Sequence, residues 1–210
     1  MLSFAAGPLD ANCYYWENET ESAVIDPSDA DVVLGILSEH RRKLTAILLT
    51  HRHYDHLAGV ARLKAETGAR VYVHALDACG LSDRYASLCA MIGGPFSPCE
   101  PDVLLRGGET IDCAGERLRV LHTPGHTVGG VSFVSDARRC VFTGDTIFYE
   151  SVGRTDFPTG SVRSLRSSAE QIFRLPEDYA IYPGHGPKTA VAHERTHNPI
   201  LSIGGKEWFN

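Results

Sequence analysis

Short apolar runs, separated by turn-forming residues, alternate along the chain with stretches of helical periodicity. Runs bounded by Pro, Gly and Asn predict strands, and apolar residues at helical spacing predict amphipathic helices. The predicted strands cover residues 2–6, 13–16, 23–25, 46–50, 70–74, 109–113, 118–122, 131–134, 140–143 and 179–182. One predicted helix starts at residues 26–28, and three others cover residues 57–67, 161–173 and 188–197.

The order of the elements indicates the fold class. Strands, helix, strand, helix are followed by strands, helix, strand, helix, which favours two packed sheets with helices outside, an α+β arrangement in four layers. Segment 77–101 has no clear period, and we expect two short helices and a loop at 93–95 there. Because no linker or low-complexity segment interrupts the pattern, we expect one domain over residues 1–210.

Composition restricts the class of partner. The chain is 43% hydrophobic and 22% charged, which is typical of a soluble globular protein. It has neither an apolar run near the ~18 residues of a membrane helix nor a basic N-terminal region of the secretory type. We therefore expect a cytoplasmic protein without a membrane partner. The net charge of −6 argues against nucleic acid bound through a broad basic face.

The cysteines spell no metal or redox motif. None of the six forms a C-x-x-C pair, so the default expectation is reduced, mostly buried thiols, with a disulfide or a reactive thiol as the alternative. The six are Cys13, Cys79, Cys89, Cys99, Cys113 and Cys140.

The most informative stretch directly follows the apolar run 46–49. Three histidines and one carboxylate fall within six positions there: His51, His53, Asp55 and His56. Burying these groups without a partner is costly, whereas imidazole and carboxylate are good ligands for zinc, iron or manganese. Ligands at the C-terminal end of a strand are typical of sites in α/β folds. A solvated polar loop is the alternative interpretation.

Three further segments repeat this pattern downstream. A strand leads into a turn that carries His122 and His126, another into Gly144-Asp145, and a third into Gly184-His185-Gly186. Each segment is weak evidence alone, but all follow predicted strands. Of the two histidines in the first turn, we expect His126 to be the ligand and His122, at the strand end, to be packed and hydrogen-bonded.

The combined pattern resembles the metallo-β-lactamase superfamily, over residues 12–199. The segments 153–158 (Gly-Arg-Thr-Asp-Phe-Pro), 183–187 (Pro-Gly-His-Gly-Pro) and 194–199 are similar to short glyoxalase II-like hydrolases. The resemblance implies an αββα sandwich and a site for two divalent metal ions, expected to be zinc, with iron or manganese as alternatives. His51, His53 and His126 would hold the first ion and Asp55, His56 and His185 the second, with Asp145 bridging both.

The resemblance also suggests a substrate contact and a limit. Arg154 stands where the family places a basic substrate contact, although a structural ion pair with Asp156 is an equal alternative. Glu194 is expected to brace the site from a helix. Full-length glyoxalase II has a helical C-terminal domain that contributes to its glutathione site. Because 11 residues follow Pro199, we expect that domain to be absent here.

The leading functional hypothesis is a metal-dependent hydrolase of a thioester such as S-lactoyl-glutathione. A metal-bridging hydroxide would attack the carbonyl, oriented by the catalytic Asp55, and the expected partner is thus a small acyl-thiol. The alternative is a persulfide dioxygenase that holds one iron on His51, His126 and Asp145. A non-enzymatic scaffold is a third class, disfavoured because all seven ligands are present.

Overall fold

The computed structural model describes residues 1–202, which form two six-stranded mixed sheets. The first sheet runs in the order β1-β2-β3-β4-β5-β6, antiparallel as far as β3 and parallel from β3 to β6. Its strands are β1 (Leu2–Ala6), β2 (Ala11–Glu17), β3 (Glu21–Ile25), β4 (Lys43–Leu48), β5 (Arg70–His74) and β6 (Val103–Leu105).

The second sheet has the order β12-β11-β10-β9-β8-β7, and within it only β10 and β11 are parallel. Its strands are β7 (Thr110–Cys113), β8 (Glu116–His122), β9 (Val131–Ser135), β10 (Cys140–Gly144), β11 (Ala180–Pro183) and β12 (Thr189–Ala190). The helices are α1 (Ala30–His40), α2 (Tyr54–Leu57), α3 (Val60–Thr67), α4 (Cys89–Ile92), α5 (Val162–Ile172) and α6 (Val191–His197), with 3-10 turns at Ala78–Leu81 and Pro199–Leu201.

Three apolar clusters hold four layers together. The middle cluster lies between the sheets, where Trp16 and Leu48 of the first pack with Phe133 and Phe142 of the second. One outer cluster joins the first sheet to α1 and α3, and the other joins the second sheet to α5. Each sheet is thus apolar on both faces and covered by helices on the outside. The predicted αββα sandwich is confirmed.

The structure corrects the prediction of one helix over 57–67. Two helices, α2 and α3, meet there at Gly59, whose backbone N–H bonds to the carbonyl oxygen of Pro27 at 2.9 Å. A Cβ at Gly59 would lie 2.6 Å from the same oxygen, so the chain needs glycine for this approach. The break turns the short α2 toward the end of β4.

Two other boundaries move for local reasons. The helix predicted from 26–28 begins at Ala30, because Asp29 is its N-cap and accepts from the Asp31 N–H at 2.8 Å. The helix predicted from residue 188 begins at Val191, because Thr189–Ala190 pair with β11 instead. Segment 77–101 contains the two short helices that were expected there.

All six cysteines are free thiols, and four of them are buried: Cys13, Cys89, Cys113 and Cys140. Within residues 1–202, no helix is long and apolar enough to cross a membrane.

Candidate metal centre

The loop between β4 and α2 carries the first four candidate ligands. The strand ends at Leu48, earlier than predicted, because the Thr50 N–H bonds to the Asp26 carboxylate at 2.8 Å. His51 and His53 lie in the loop, and Asp55 and His56 are on α2. All four are buried, and the shortness of the loop and helix brings them to one end of the sheet.

Asp26, directly after β3, holds this loop in place through hydrogen bonds. Its carboxylate accepts hydrogen bonds from the Thr50 N–H and hydroxyl, at 2.8 and 2.6 Å. The same carboxylate lies 3.0 Å from His56 Nδ1. A buried carboxylate at this distance holds the proton on Nδ1, so that Nε2 is the nitrogen free to bind a metal.

His51, His53 and His126 form one group. Their ligand atoms lie within 4.8 Å of one another, and all three side chains are buried. His53 Nδ1 is 2.8 Å from His126 Nε2, and His126 Nδ1 is 2.7 Å from the carbonyl oxygen of Arg154. That carbonyl fixes the His126 ring with Nε2 toward the other two histidines.

Asp55, His56 and His185 form a second group with the same compactness. His185 Nε2 lies 3.1 Å from Asp55 Oδ2 and 3.2 Å from His56 Nε2. His185 comes from the loop after β11, so this group joins the two sheets.

Asp145, in the loop after β10, faces both groups. Its Oδ1 lies 3.3 Å from His56 Nε2, and its Oδ2 lies 3.4 Å from His126 Nε2. One carboxylate oxygen is thus directed to each group, which is the arrangement that a bridging ligand needs.

Two glycines leave room for this carboxylate. A Cβ at Gly184 would lie 2.1 Å from Asp145 Oδ1, and one at Gly153 would lie 2.0 Å from the Asp145 carbonyl oxygen. Any larger residue at either position would displace Asp145. The glycines before His185 and Arg154 therefore serve the packing of the site.

The electrostatics of the cluster favour neutral imidazoles in the first group and an ionised Asp145 beside them. Burial and the neighbouring His126 lower the pKa of His53 to about 3, and burial also lowers the pKa of His51 well below its ordinary value. Burial opposes ionisation of Asp145, but the nearby His56 holds its pKa well below the usual range. In His56, Asp55 and Asp145 outweigh burial and raise the pKa well above its ordinary value.

Two buried atoms of the cluster test whether metal ions fit. His51 Nε2 and Asp145 Oδ1 are buried without a hydrogen-bond partner, although unpaired buried polar atoms are rare and costly. Both point among other nitrogen and oxygen donors, and the donor set contains no sulfur. Nitrogen and oxygen donors without thiolate suit zinc, iron and manganese. The residues fit divalent metal ions.

Three other residues with predicted roles lie around the cluster. Arg154 lines the cavity beside it and also forms a two-point ion pair with Asp156, at 2.6 and 2.5 Å, so both interpretations of Arg154 have a geometric basis. His122 stacks on His74 with ring centroids 4.3 Å apart, as expected for a packed residue. Glu194 is fully buried and accepts from the Glu150 N–H at 3.1 Å, which braces the loop after β10.

Sequence reasoning missed Asp26 as a supporting residue, treating it as the start of a helix. Its signal was nevertheless present, because Asp26 follows the apolar run 23–25 directly, and Asp145 follows the run 140–143 after a single glycine. A carboxylate at a further strand end was therefore a candidate for the same site.

Comparisons with known proteins agree with this architecture. The family model for the metallo-beta-lactamase superfamily matches residues 6–185. A probable metallo-hydrolase of Streptococcus pyogenes is 37% identical, over 90% of this chain and 85% of its own. The hydroxyacylglutathione hydrolase GloC of Haemophilus influenzae is 32% identical, over 91% of this chain and 92% of its own.

Solved structures with the same fold carry different names. The B3 metallo-beta-lactamase BLEG-1 superposes with a TM-score of 0.89 at 32% identity, over 96% of this chain and 99% of its own. TTHA1623 in a di-iron-bound form gives 0.85 at 34% identity, over 96% and 100%. ETHE1 from Myxococcus xanthus gives 0.76 at 28% identity, over 95% and 84%.

Proposed function

The chain belongs to the metallo-β-lactamase superfamily, and we propose that it is a metal-dependent hydrolase of acyl-thiol esters. The observation that carries the proposal is the pair of ligand groups with one Asp145 oxygen directed to each. The likeness to a hydroxyacylglutathione hydrolase supports a thioester as the substrate class.

The seven residues would hold two divalent ions, as the resemblance implied. His51, His53 and His126 would bind one, Asp55, His56 and His185 the other, and Asp145 both. Such ions, when bound, lower the pKa of water and polarise a carbonyl. A bound pair needs a shared anionic ligand, and the Asp145 carboxylate is held ionised by His56.

Asp55 is the residue we assign to positioning the attacking water. Its carboxylate lines the cavity, and the neighbouring His56 and His185 outweigh burial and lower its pKa. An ionised carboxylate accepts a hydrogen bond and can orient water toward a carbonyl carbon. The leaving thiol, with an ordinary pKa of about 8.5, departs as thiolate without a strong acid. This agrees with the absence of a lysine or tyrosine among the described residues that line the cavity.

Thioester hydrolysis by the metal-loaded protein tests the proposal directly. S-Lactoyl-glutathione and S-acetyl-N-acetylcysteamine should release thiol without oxygen uptake, and Asp55→Asn should slow the release by more than tenfold. The matched control is Asp29→Asn, which lies at a helix N-cap where Asn is equally suitable. Release of no thiol from any thioester would refute the proposal.

The alternative is a persulfide dioxygenase, which the likeness to ETHE1 supports. The di-iron form of TTHA1623 supports iron as a metal for this fold, but with two ions and not one. The dioxygenase would hold one iron on His51, His126 and Asp145, and the second group would be idle. Oxygen consumption by the iron-loaded protein with glutathione persulfide, without thioester cleavage, would establish it. A chromogenic cephalosporin should be included as a substrate, because BLEG-1 is named a B3 metallo-beta-lactamase.

A further inference from the structure

An open cavity of about 500 Å³ adjoins the candidate metal centre and has largely apolar walls. His53, Asp55, His126, Asp145 and His185 supply its polar end. The apolar walls are formed by Leu9, Leu88, Met91, Ile92, Phe148 and Phe157. A carbonyl placed at the ligands would therefore carry its substituents along aliphatic and aromatic side chains.

The wall formed by α4 is fixed to the ligand helix. The Tyr54 N–H, at the start of α2, donates to the Ser87 carbonyl oxygen at 2.8 Å. Cys89, the first residue of α4, is buried in the outer core cluster, which anchors the start of the helix as well. Leu88 has φ +64°, a conformation that costs a large L-residue free energy and persists where the surroundings impose it. The apolar wall is thus a built part of the site.

Two of the wall residues are unusually exposed. Leu9 and Met91 have 52% and 61% of their surface accessible. Single exposed apolar residues need no explanation, but convergent ones that continue a cavity are typical of a binding surface. These two extend the apolar surface from the ligands to the cavity mouth.

The cavity wall offers no unpaired positive charge that would select an anionic substrate. Arg154 is the one lysine or arginine among the described residues that line it. The Asp156 carboxylate takes its Nε and Nη2 donors, and its guanidinium carbon stands 4.0 Å over the Phe157 ring. The pair has no net charge. Glutathione, with two carboxylates and one ammonium, would therefore find no uncompensated cation in the wall.

We propose that the acyl part of the substrate is an apolar chain, which lies along Leu9, Leu88 and Met91 with its carbonyl at the ligands. The proposal rests on the thioester hydrolase function above. It narrows the acyl-thiol class to apolar acyl thioesters and makes Leu9 and Met91 specificity-determining residues.

The test is a chain-length series on the metal-loaded protein, with acetyl, butanoyl and hexanoyl esters of N-acetylcysteamine. We expect kcat/KM to rise about two- to fourfold per methylene, since full burial of a methylene corresponds to about fourfold. Leu9→Ser and Met91→Ser should lower this slope. Leu76→Ser is the matched control, because Leu76 is also a turn leucine with 52% exposure but lies outside the cavity lining; its slope should equal that of the unsubstituted protein.

Two outcomes separate this proposal from the proposed function. Hydrolysis of every ester at one rate, or a dependence on thiol length alone in a series of S-alkyl thioacetates, would overturn the acyl-chain proposal and leave the hydrolase intact. If the protein hydrolyses none of the esters, the apolar site is tested by binding. Calorimetry then compares the affinities for S-hexyl- and S-ethyl-N-acetylcysteamine, two thioethers that cannot be hydrolysed. Tighter binding of the hexyl compound that Leu9→Ser abolishes would support the apolar site, and equal affinities would overturn it.

Discussion

Asp26→Asn should weaken metal binding through the tautomer of His56. In the native chain, Asp26 Oδ1 accepts from the Thr50 N–H, and Oδ2 lies 2.6 Å from the Thr50 hydroxyl and 3.0 Å from His56 Nδ1. If the Asn oxygen keeps the Thr50 N–H, its NH₂ group faces His56 Nδ1 and donates to it. The neutral imidazole, which is the form that can bind a metal, must then carry its proton on Nε2, the nitrogen that lies 3.3 Å from Asp145 Oδ1. A protonated Nε2 cannot bind a metal.

The expected size of the effect follows from this loss of orientation. Removing an outer hydrogen-bond partner of a ligating histidine weakens metal affinity about 10- to 100-fold, or about 1.4–2.8 kcal/mol. Competition with a chromophoric chelator measures the two affinities, and we expect the weaker binding in the group that contains His56. Asp29→Asn, three residues away at the α1 N-cap, is the control and should bind as the native chain does. Affinities within twofold of native for Asp26→Asn would refute the tautomer argument.

Three further predictions use other parts of the site. Gly184→Ala should displace the Asp145 carboxylate, because the new Cβ would lie 2.1 Å from its Oδ1. Metal content should fall, and the free energy of unfolding should fall by about 1–3 kcal/mol. Gly35→Ala is the control, because a Cβ there has nothing within 4 Å, and it should lower neither quantity. Metal binding to the group with His56 should release a proton, because the raised pKa of His56 keeps it protonated in the free site. Affinity in that group should therefore rise with pH through the neutral range and level off only above the raised pKa, and calorimetry in buffers of different ionisation enthalpy should detect the proton. Binding without proton release at pH 7 would contradict this. Arg154→Ala should raise KM about two- to fivefold with kcat almost unchanged. Neutral and anionic thioesters should respond alike, because the charge of Arg154 is paired with that of Asp156. A larger effect on anionic esters would show that the charge of Arg154 itself contacts the substrate.

The sequence predicted the parts of the site that depend on strand ends. His51, Asp145 and His185 each follow an apolar run within a few residues, and a strand followed by a tight loop brings such residues to one edge. The layer order was predictable from the order of the elements, because strands, helix, strand, helix occurs twice along the chain.

Contacts between distant segments were not predictable. Asp26 reaches His56 across 30 positions, and Gly184 approaches Asp145 across 39, so no local pattern reports either contact. The apolar wall is another example, because residues 88–92 have no periodicity and are held by a hydrogen bond to Tyr54 and the burial of Cys89. The local sequence predicts a continuous helix through Gly59, but the helix is interrupted there, because the Gly59 backbone packs against the Pro27 carbonyl oxygen from a distant segment.

Metal content of the purified and reconstituted protein tests the central claim most directly. The claim is that His51, His53 and His126 bind one ion, Asp55, His56 and His185 a second, and Asp145 both. Elemental analysis after removal of unbound metal should give two ions per chain in the native protein, close to none in Asp145→Ala and about one in His185→Ala. One ion at most in the native protein, or equal losses in the two variants, would contradict the binuclear site.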